Sequence, residues 1–311
     1  MAFFDTIPFL GYSLYQLCLL FLIWAFLGWG VEVCFHTIKM GEYSNRGFLD
    51  MPICPIYGFG VLIITIVLKP VSGDPLLVFL LSSLICTAFE LAVGVAMRKI
   101  FHSIWWDYTD EHFNFHGYIC LKVSIEWGIG GLIVISFVEP FTEMLINAMP
   151  IVLGCIIISI FAVLIPIDTW GSVAAVKKLN VRLKEITEIN AKMLETAQGI
   201  GEKLGGFALD TQDKGAEAYA GLYLAADEIS DKAEELAEGI RSGISDKRAE
   251  MAEKMQNRYD ALIAFSDRRV KRMIRAFPGM QSIDYEDAFL TIKSIVSGEE
   301  KKNAADKSLS R

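Results

Sequence analysis

Long apolar runs alternate with short polar segments over the first 170 positions of the chain. A helix needs about 20 apolar residues to cross the hydrocarbon core of a bilayer. Five runs are close to that length and predict five transmembrane helices, at about residues 13–35, 51–68, 76–97, 119–138 and 145–167. The pattern therefore predicts an all-α, polytopic membrane protein.

The distribution of charge changes sharply at about residue 170. Residues 1–170 contain 6 basic and 13 acidic residues, whereas residues 171–311 contain 23 and 24. The first part is too apolar for a soluble enzyme, and the second part is too polar for a membrane. We predict a transmembrane domain over 1–170, a helical, coiled-coil tail over 171–296 and a disordered end over 297–311.

Basic residues in the short loops predict the orientation of the spans. The loops at 36–51 and 98–118 carry two basic residues each, and four more follow soon after the fifth span. The loop at 139–144 and the segment before the first span carry none, and the loop at 69–75 carries only Lys69. Because positive loops face the cytoplasm, we place the N-terminus outside and the tail in the cytoplasm.

The tail begins with a heptad pattern. Apolar residues from Leu179 to Leu204 alternate at spacings of four and three, with Asn190 as the one polar residue in this seam. A lone Asn in a seam commonly sets register and oligomeric state. A second series runs from Leu222 to Leu262. The tail therefore forms either a parallel coiled coil between two chains, which makes a homo-oligomer, or a hairpin of its own two segments.

A basic cluster follows between Arg268 and Arg275, interrupted by Val270 and Ile274. On a helix, this pattern fits the anionic inner leaflet or an acidic surface of a partner. The tail's net charge is only -1, and other recognition motifs are missing, so no nucleic-acid partner is expected.

Three predicted spans carry an acidic residue close to the predicted cytoplasmic end. A carboxylate is costly in lipid, so such residues face the bundle and find partners. One interpretation is a polar cavity or substrate path that opens to the cytoplasm. The other is a structural cluster, in which Glu126 pairs with Lys122. The candidate residues are Glu32, Arg46, Glu90, Asp107, Asn114 and Glu126.

Sequence blocks in the two predicted cytoplasmic loops and beside them point to a known family. Their main residues are Gly28, Trp29, Asn45, Gly47, Pro52, Pro55, Tyr57, Gly58, Trp106, Tyr108 and Gly117. With these blocks, about residues 28–170 resemble the bacterial family described as putative ABC-transporter permeases (CmpB-like, type IV). A weaker likeness to a terminal segment of some members lies at 275–278.

The resemblance implies an inner-membrane, permease-like subunit of a transport system. The sequence contains no G-x4-G-K-[ST] segment, so the ATP-binding subunit would be a separate chain. We expect the lipid bilayer and that subunit as partners, and no metal or cofactor.

Two other functions stay open at this point. The chain is a membrane anchor or scaffold if the coiled-coil tail recruits cytoplasmic partners. It is a membrane enzyme at the lipid interface if general acid–base chemistry is carried by His112, His116, Asp107 and Glu32, but no nucleophile–base pair can be identified from the spacing. We therefore predict a protein that is not an enzyme.

The orientation is testable with single cysteines. One placed within 139–144 should react with a membrane-impermeant maleimide in intact cells, because that loop is predicted to lie outside. One placed within 98–118 should react only after permeabilisation, and the unaltered chain gives the background from native cysteines. Labelling of 139–144 only after permeabilisation would contradict the orientation.

Overall fold

The computed structural model describes residues 3–7, 11–41, 43–218, 250, 253–262 and 267–309, and these are mostly helical. Contacts divide the chain into two compact units. One unit contains Met1–Asn180 together with Asp267–Arg311, and the other contains Val181–Ser266. The C-terminal segment is thus grouped with the membrane domain, whereas the sequence analysis assigned it to the tail.

Five helical stretches occupy the positions of the five predicted spans. They are α1 (Leu14–Met40), α2 (Pro55–Leu68), α3 (Pro75–Phe101), the run of α4 (Leu121–Ile133), a π-helical segment (Val134–Val138) and α5 (Glu139–Ala148), and finally α6 (Ile151–Ala218). Two helices follow after the tail: α7 (Arg268–Ala276) and α8 (Glu286–Leu309). Helix α8 therefore continues into the segment for which disorder was predicted.

Three pairs of very short antiparallel strands join segments between the helices. Strand β1 (Thr6–Ile7) pairs with β2 (Tyr12–Ser13), and β4 (Asn114–Phe115) pairs with β5 (Ile119–Cys120). The third pair joins distant parts of the chain, because β3 (Ser103–Ile104) pairs with β6 (Gln281–Ser282).

Four of the described helices are long and apolar enough to cross a membrane, so this is a membrane protein. They are Leu14–Lys39, Pro75–Phe101, Leu121–Ala148 and Ile151–Glu195. The shorter helix α2 begins at Pro55 rather than at 51, where the sequence analysis began the second span. With the 3-10 turn that follows it, α2 spans about 27 Å, slightly less than a hydrocarbon core of about 30 Å. A fifth crossing by α2 stays a prediction.

Polar contacts lie at both ends of the helices. At one end, Lys69 Nζ lies 3.3 Å from Glu143 Oε1, and the Tyr12 hydroxyl donates to Glu139 Oε1 at 2.8 Å. The other end carries residues 41–54 and 102–120, and we call it the loop face. Helix α2 starts at the loop face and finishes at the opposite end.

Glycines allow the neighbouring helices to approach closely. A side chain at Gly28 of α1 would collide with Tyr57 of α2, and one at Gly58 of α2 would collide with Phe21 of α1. Each of the two helices therefore packs an aromatic ring over a glycine of the other helix. This contact explains two glycines that the family resemblance singled out without a physical role.

The loop between α1 and α2 is not helical, and two of its apolar side chains are buried against α1. Leu49 and Ile53 join a core cluster with Ala25 of α1. The Cys54 amide donates to the Ala25 carbonyl at 2.8 Å. Non-helical backbone at this depth requires such burial within the protein.

The first heptad series lies within α6, whose backbone is helical to Ala218. Most of the second series, from 222 to 249, lies outside the described residues. Pairing of the tail, between chains or within one, stays a prediction.

Replacing Gly28 with alanine should destabilise the protein by about 1–3 kcal/mol, because the new methyl group overlaps Tyr57. Gly30→Ala is the matched control, since a Cβ there meets nothing within 4 Å. The control should be neutral or slightly stabilising. Thermal unfolding in detergent measures both variants, and equal behaviour would contradict the packing described.

Candidate functional site

Glu90 is a buried carboxylate of α3, with 7% of its surface exposed. Its Oε1 accepts a hydrogen bond from the Tyr108 hydroxyl at 3.1 Å, and its Oε2 accepts one from Trp127 Nε1 at 3.0 Å. Burial and the Glu90 carboxylate raise the pKa of Tyr108. The hydroxyl of Tyr108 therefore stays protonated and can donate a hydrogen bond. Two helices and a loop therefore meet at one acid.

Glu32 of α1 is held in a similar way. The Tyr57 hydroxyl donates to its Oε1, and Arg46 Nε lies 3.5 Å from its Oε2. Every carboxylate oxygen of Glu32 and Glu90 thus has a donor nearby.

The two acids belong to one network, because the rings of Tyr57 and Trp127 lie 5.9 Å apart between centroids. Each ring belongs to a residue that donates to one of the acids. We call this set the polar network, and its members are Glu32, Arg46, Tyr57, Glu90, Tyr108 and Trp127.

The residues of the first loop hold its backbone in place. Trp29 Nε1 donates to Asn45 Oδ1 at 2.8 Å. The same oxygen accepts from the Gly47 amide at 3.1 Å, and Asn45 Nδ2 donates to the Asp50 carbonyl at 2.9 Å. Pro52 lies exposed in this loop, and Pro55 occupies the first turn of α2, where its missing N–H costs nothing.

The second loop is a hairpin organised by two polar side chains. Asp107 accepts from the amide of Thr109 at 2.9 Å, and Asn114 donates to two carbonyls of the turn. Gly117 has a φ of 74° and sits against the Asp107 carboxylate, where a Cβ would collide. Trp106 Nε1 donates to the Tyr118 carbonyl at 3.0 Å. These residues fix the loop that carries Tyr108.

Glu126 does not join the polar network. It is exposed on α4, and its expected partner Lys122 instead lies 2.9 Å from Glu111 Oε1. The pairing of Glu126 with Lys122 that the structural interpretation assumed is therefore wrong. His112 and His116 are also exposed, and the described residues contain no group of three or more side chains suited to a metal ion.

The basic cluster of the C-terminal segment docks on the loop face. Arg269 Nε lies 2.8 Å from Asp50 Oδ2, and its Nη1 lies 3.1 Å from Asp168 Oδ1. Arg272 Nε lies 2.7 Å from Asp50 Oδ1, and its other two nitrogens donate to the carbonyls of Gly47 and Phe48. Two of the basic residues thus pair within the chain, where the sequence analysis proposed the inner leaflet or a partner protein.

The same segment is attached by a ring and by a strand. The ring of Phe277 lies edge-on to Trp105 at 5.0 Å, and the Arg46 guanidinium lies 5.5 Å above it. Strand β6 pairs with β3, and the Ile283 amide donates to the His102 carbonyl at 3.1 Å. We call residues 267–298 the cap.

Sequence reasoning missed Asp168 and the roles of Asp50 and Trp127. Asp168 was visible as the only charged residue between Glu143 and Lys177, but it fell just beyond the predicted fifth span. A side chain at Gly171, one turn further along α6, would collide with the Arg269 guanidinium. No periodicity connects these positions to a basic residue about 100 positions away.

Residues 19–173 match the family model described as putative ABC-transporter type IV. The membrane domain of this chain belongs to the putative ABC-transporter type IV family. The match covers both loops of the loop face and every member of the polar network, and it ends before the cap. No curated protein and no solved structure matched the chain.

For this ABC-transporter type IV domain, Tyr108→Phe tests the burial of Glu90. Loss of the hydroxyl leaves one buried carboxylate oxygen without its donor, which should cost about 1–3 kcal/mol. Tyr43→Phe removes a hydroxyl from an exposed ring and should be neutral. Unfolding in detergent measures both, and an unchanged Tyr108→Phe variant would show that this hydrogen bond does not stabilise the fold.

Proposed function

We propose that this chain is the permease-like membrane subunit of a transport system in the inner cell membrane, and that a separate ATP-binding chain is its partner. The family match supports a role in transport. The missing P-loop motif in the sequence supports a separate source of ATP hydrolysis.

The observation that carries the proposal is the link from the loop face to Glu90. Tyr108 belongs to the hairpin loop, yet its hydroxyl donates to a carboxylate buried between α3 and α4. A partner that moves this hairpin would remove a donor from Glu90. Because a buried carboxylate depends strongly on its donors, such a movement would change what Glu90 binds.

The same reasoning assigns roles to the candidate residues. Glu32 and Glu90 would lose or regain their polar partners when the loops move. Arg46 would neutralise the charge of Glu32. Asp107 and Asn114 would hold the hairpin in shape, so that a push on the loop reaches Tyr108. In the proposed orientation, with the N-terminus outside, the loop face lies in the cytoplasm, where an ATP-binding subunit can reach it.

Glu90→Gln should lower coupled activity by about tenfold or more, since it replaces a charge-assisted hydrogen bond worth about 1.5–3 kcal/mol. The measurement is ATP hydrolysis by the full complex, purified in mild detergent by reciprocal tagging of both chains. Glu195→Gln is the control, because Glu195 is an exposed acid of α6 outside the polar network and should change activity little.

The second candidate function is a membrane scaffold. It is favoured by α6, which continues as one helix from the apolar segment into the polar tail as far as Ala218. Asn190→Leu would then abolish function, while Glu90→Gln would be tolerated. That pattern, together with a complex that contains no ATP-binding chain, would contradict the transport proposal.

A further inference from the structure

The cap lies against one side of the polar network. Phe277 lies against the Arg46 guanidinium, and Arg46 in turn pairs with Glu32. Cys54, directly before α2, is 6% exposed, and both Arg46 and Arg272 act on its thiol electrostatically. The cap therefore lies beside residues of the loop face that border the polar network.

The attachment of the cap includes many polar contacts. Among them are the ion pairs and carbonyl contacts of the two arginines, the ion pair of His102 with Asp284 and a strand pair of two residues, and the Phe277 ring packs beside them. Arg269 and Asp50 keep about a third of their side chains exposed, and water screens ion pairs that are partly exposed. Such contacts can be broken without unfolding the spans.

The two helices of the cap contact each other. Helix α7 contacts α8, and both helices carry buried apolar side chains, among them Val270, Met273, Phe289 and Ile292. A segment whose helices contact each other can move as one body when its polar attachments open.

We propose that the cap is a reversible lid on the loop face, latched by the pairing of Arg269 and Arg272 with Asp50 and Asp168. When the latch opens, Arg46, Cys54 and Trp105 become accessible from the aqueous side. The closed lid covers the surface that a partner chain would need. The blocking of a partner chain by the closed lid rests on the proposed transport function, whereas the existence of the lid does not.

Alkylation of native Cys54 in the full-length protein tests the latch. A hydrophilic maleimide is added to protein in detergent, and labelled peptides are quantified by mass spectrometry. The double variant Arg269→Gln/Arg272→Gln should label at Cys54 about tenfold faster or more, because local opening controls access to a buried thiol. Arg268→Gln is the matched control, since Arg268 is exposed and makes no ion pair with the described residues.

A native thiol also reports whether the variant merely unfolds. Cys120 is 2% exposed and belongs to the hairpin strand β5, so it should stay protected when only the lid opens. An unchanged rate at Cys54 in the double variant would overturn the latch. Equal gains at Cys54 and Cys120 would mean general unfolding and would also count against a separate lid.

A disulfide lock tests the lid by holding it closed. Ser103 and Ser282 are directly opposed in the β3–β6 pair, and both are buried. Opposed residues of antiparallel strands lie about 4.5–5.5 Å apart at Cα, within the range for a disulfide. The variant Ser103→Cys/Ser282→Cys should form a bond within one chain when oxidised, and the two single variants are its controls.

The oxidised lock should slow Cys54 labelling below the level of the unaltered protein and should stop ATP hydrolysis by the complex. A reductant should reverse both effects. A disulfide between two chains would overturn a lid that closes on its own chain. Full ATP hydrolysis by the locked protein would overturn the regulatory role of the lid but would not contradict the transport proposal. If no ATP-binding partner is found, the transport proposal fails, and the labelling of Cys54 still tests the lid.

Discussion

A carboxylate enclosed by apolar helices needs hydrogen-bond donors, and this requirement organises the loop face. Glu90 obtains its donors from a hairpin loop and from α4, whereas Glu32 obtains a donor from α2 and an ion-pair partner from the first loop. Each acid therefore ties a loop or a neighbouring helix to its own helix. If the donors moved away, the charge would be left in a medium that does not solvate it.

The polar network can form only because the helices lie close together. Gly28 and Gly58 let α1 and α2 approach until each supports a ring of the other. One of those rings is Tyr57, the donor to Glu32. Small residues at the contacts of α1 and α2 are thus required by the polar network as well as by packing, which drives helix association in lipid.

The cap applies the same electrostatic rule at the edge of the membrane domain. Asp168 is 6% exposed, and it accepts from the Met51 amide at 2.9 Å while Arg269 supplies the opposite charge. Asp50 stands between Arg269 and Arg272 and holds both. A segment more than 200 positions after Asp50 therefore completes the loop face, and the membrane domain shares its surface with the end of the chain.

The sequence by itself determined the helices, the membrane character and the place of the unusual charges. The lengths of the apolar runs, and the positions of Glu32 and Glu90 within or beside them, can be identified from residues that are adjacent in the sequence. Local rules are therefore enough to predict the helices. Tertiary structure alone decided the partners: Trp127 for Glu90, Glu111 for Lys122, and Asp50 and Asp168 for the cap. These pairs could not be predicted because ion pairs and hydrogen bonds act over about 3 Å, and separation in sequence does not indicate which distant side chains packing will bring that close.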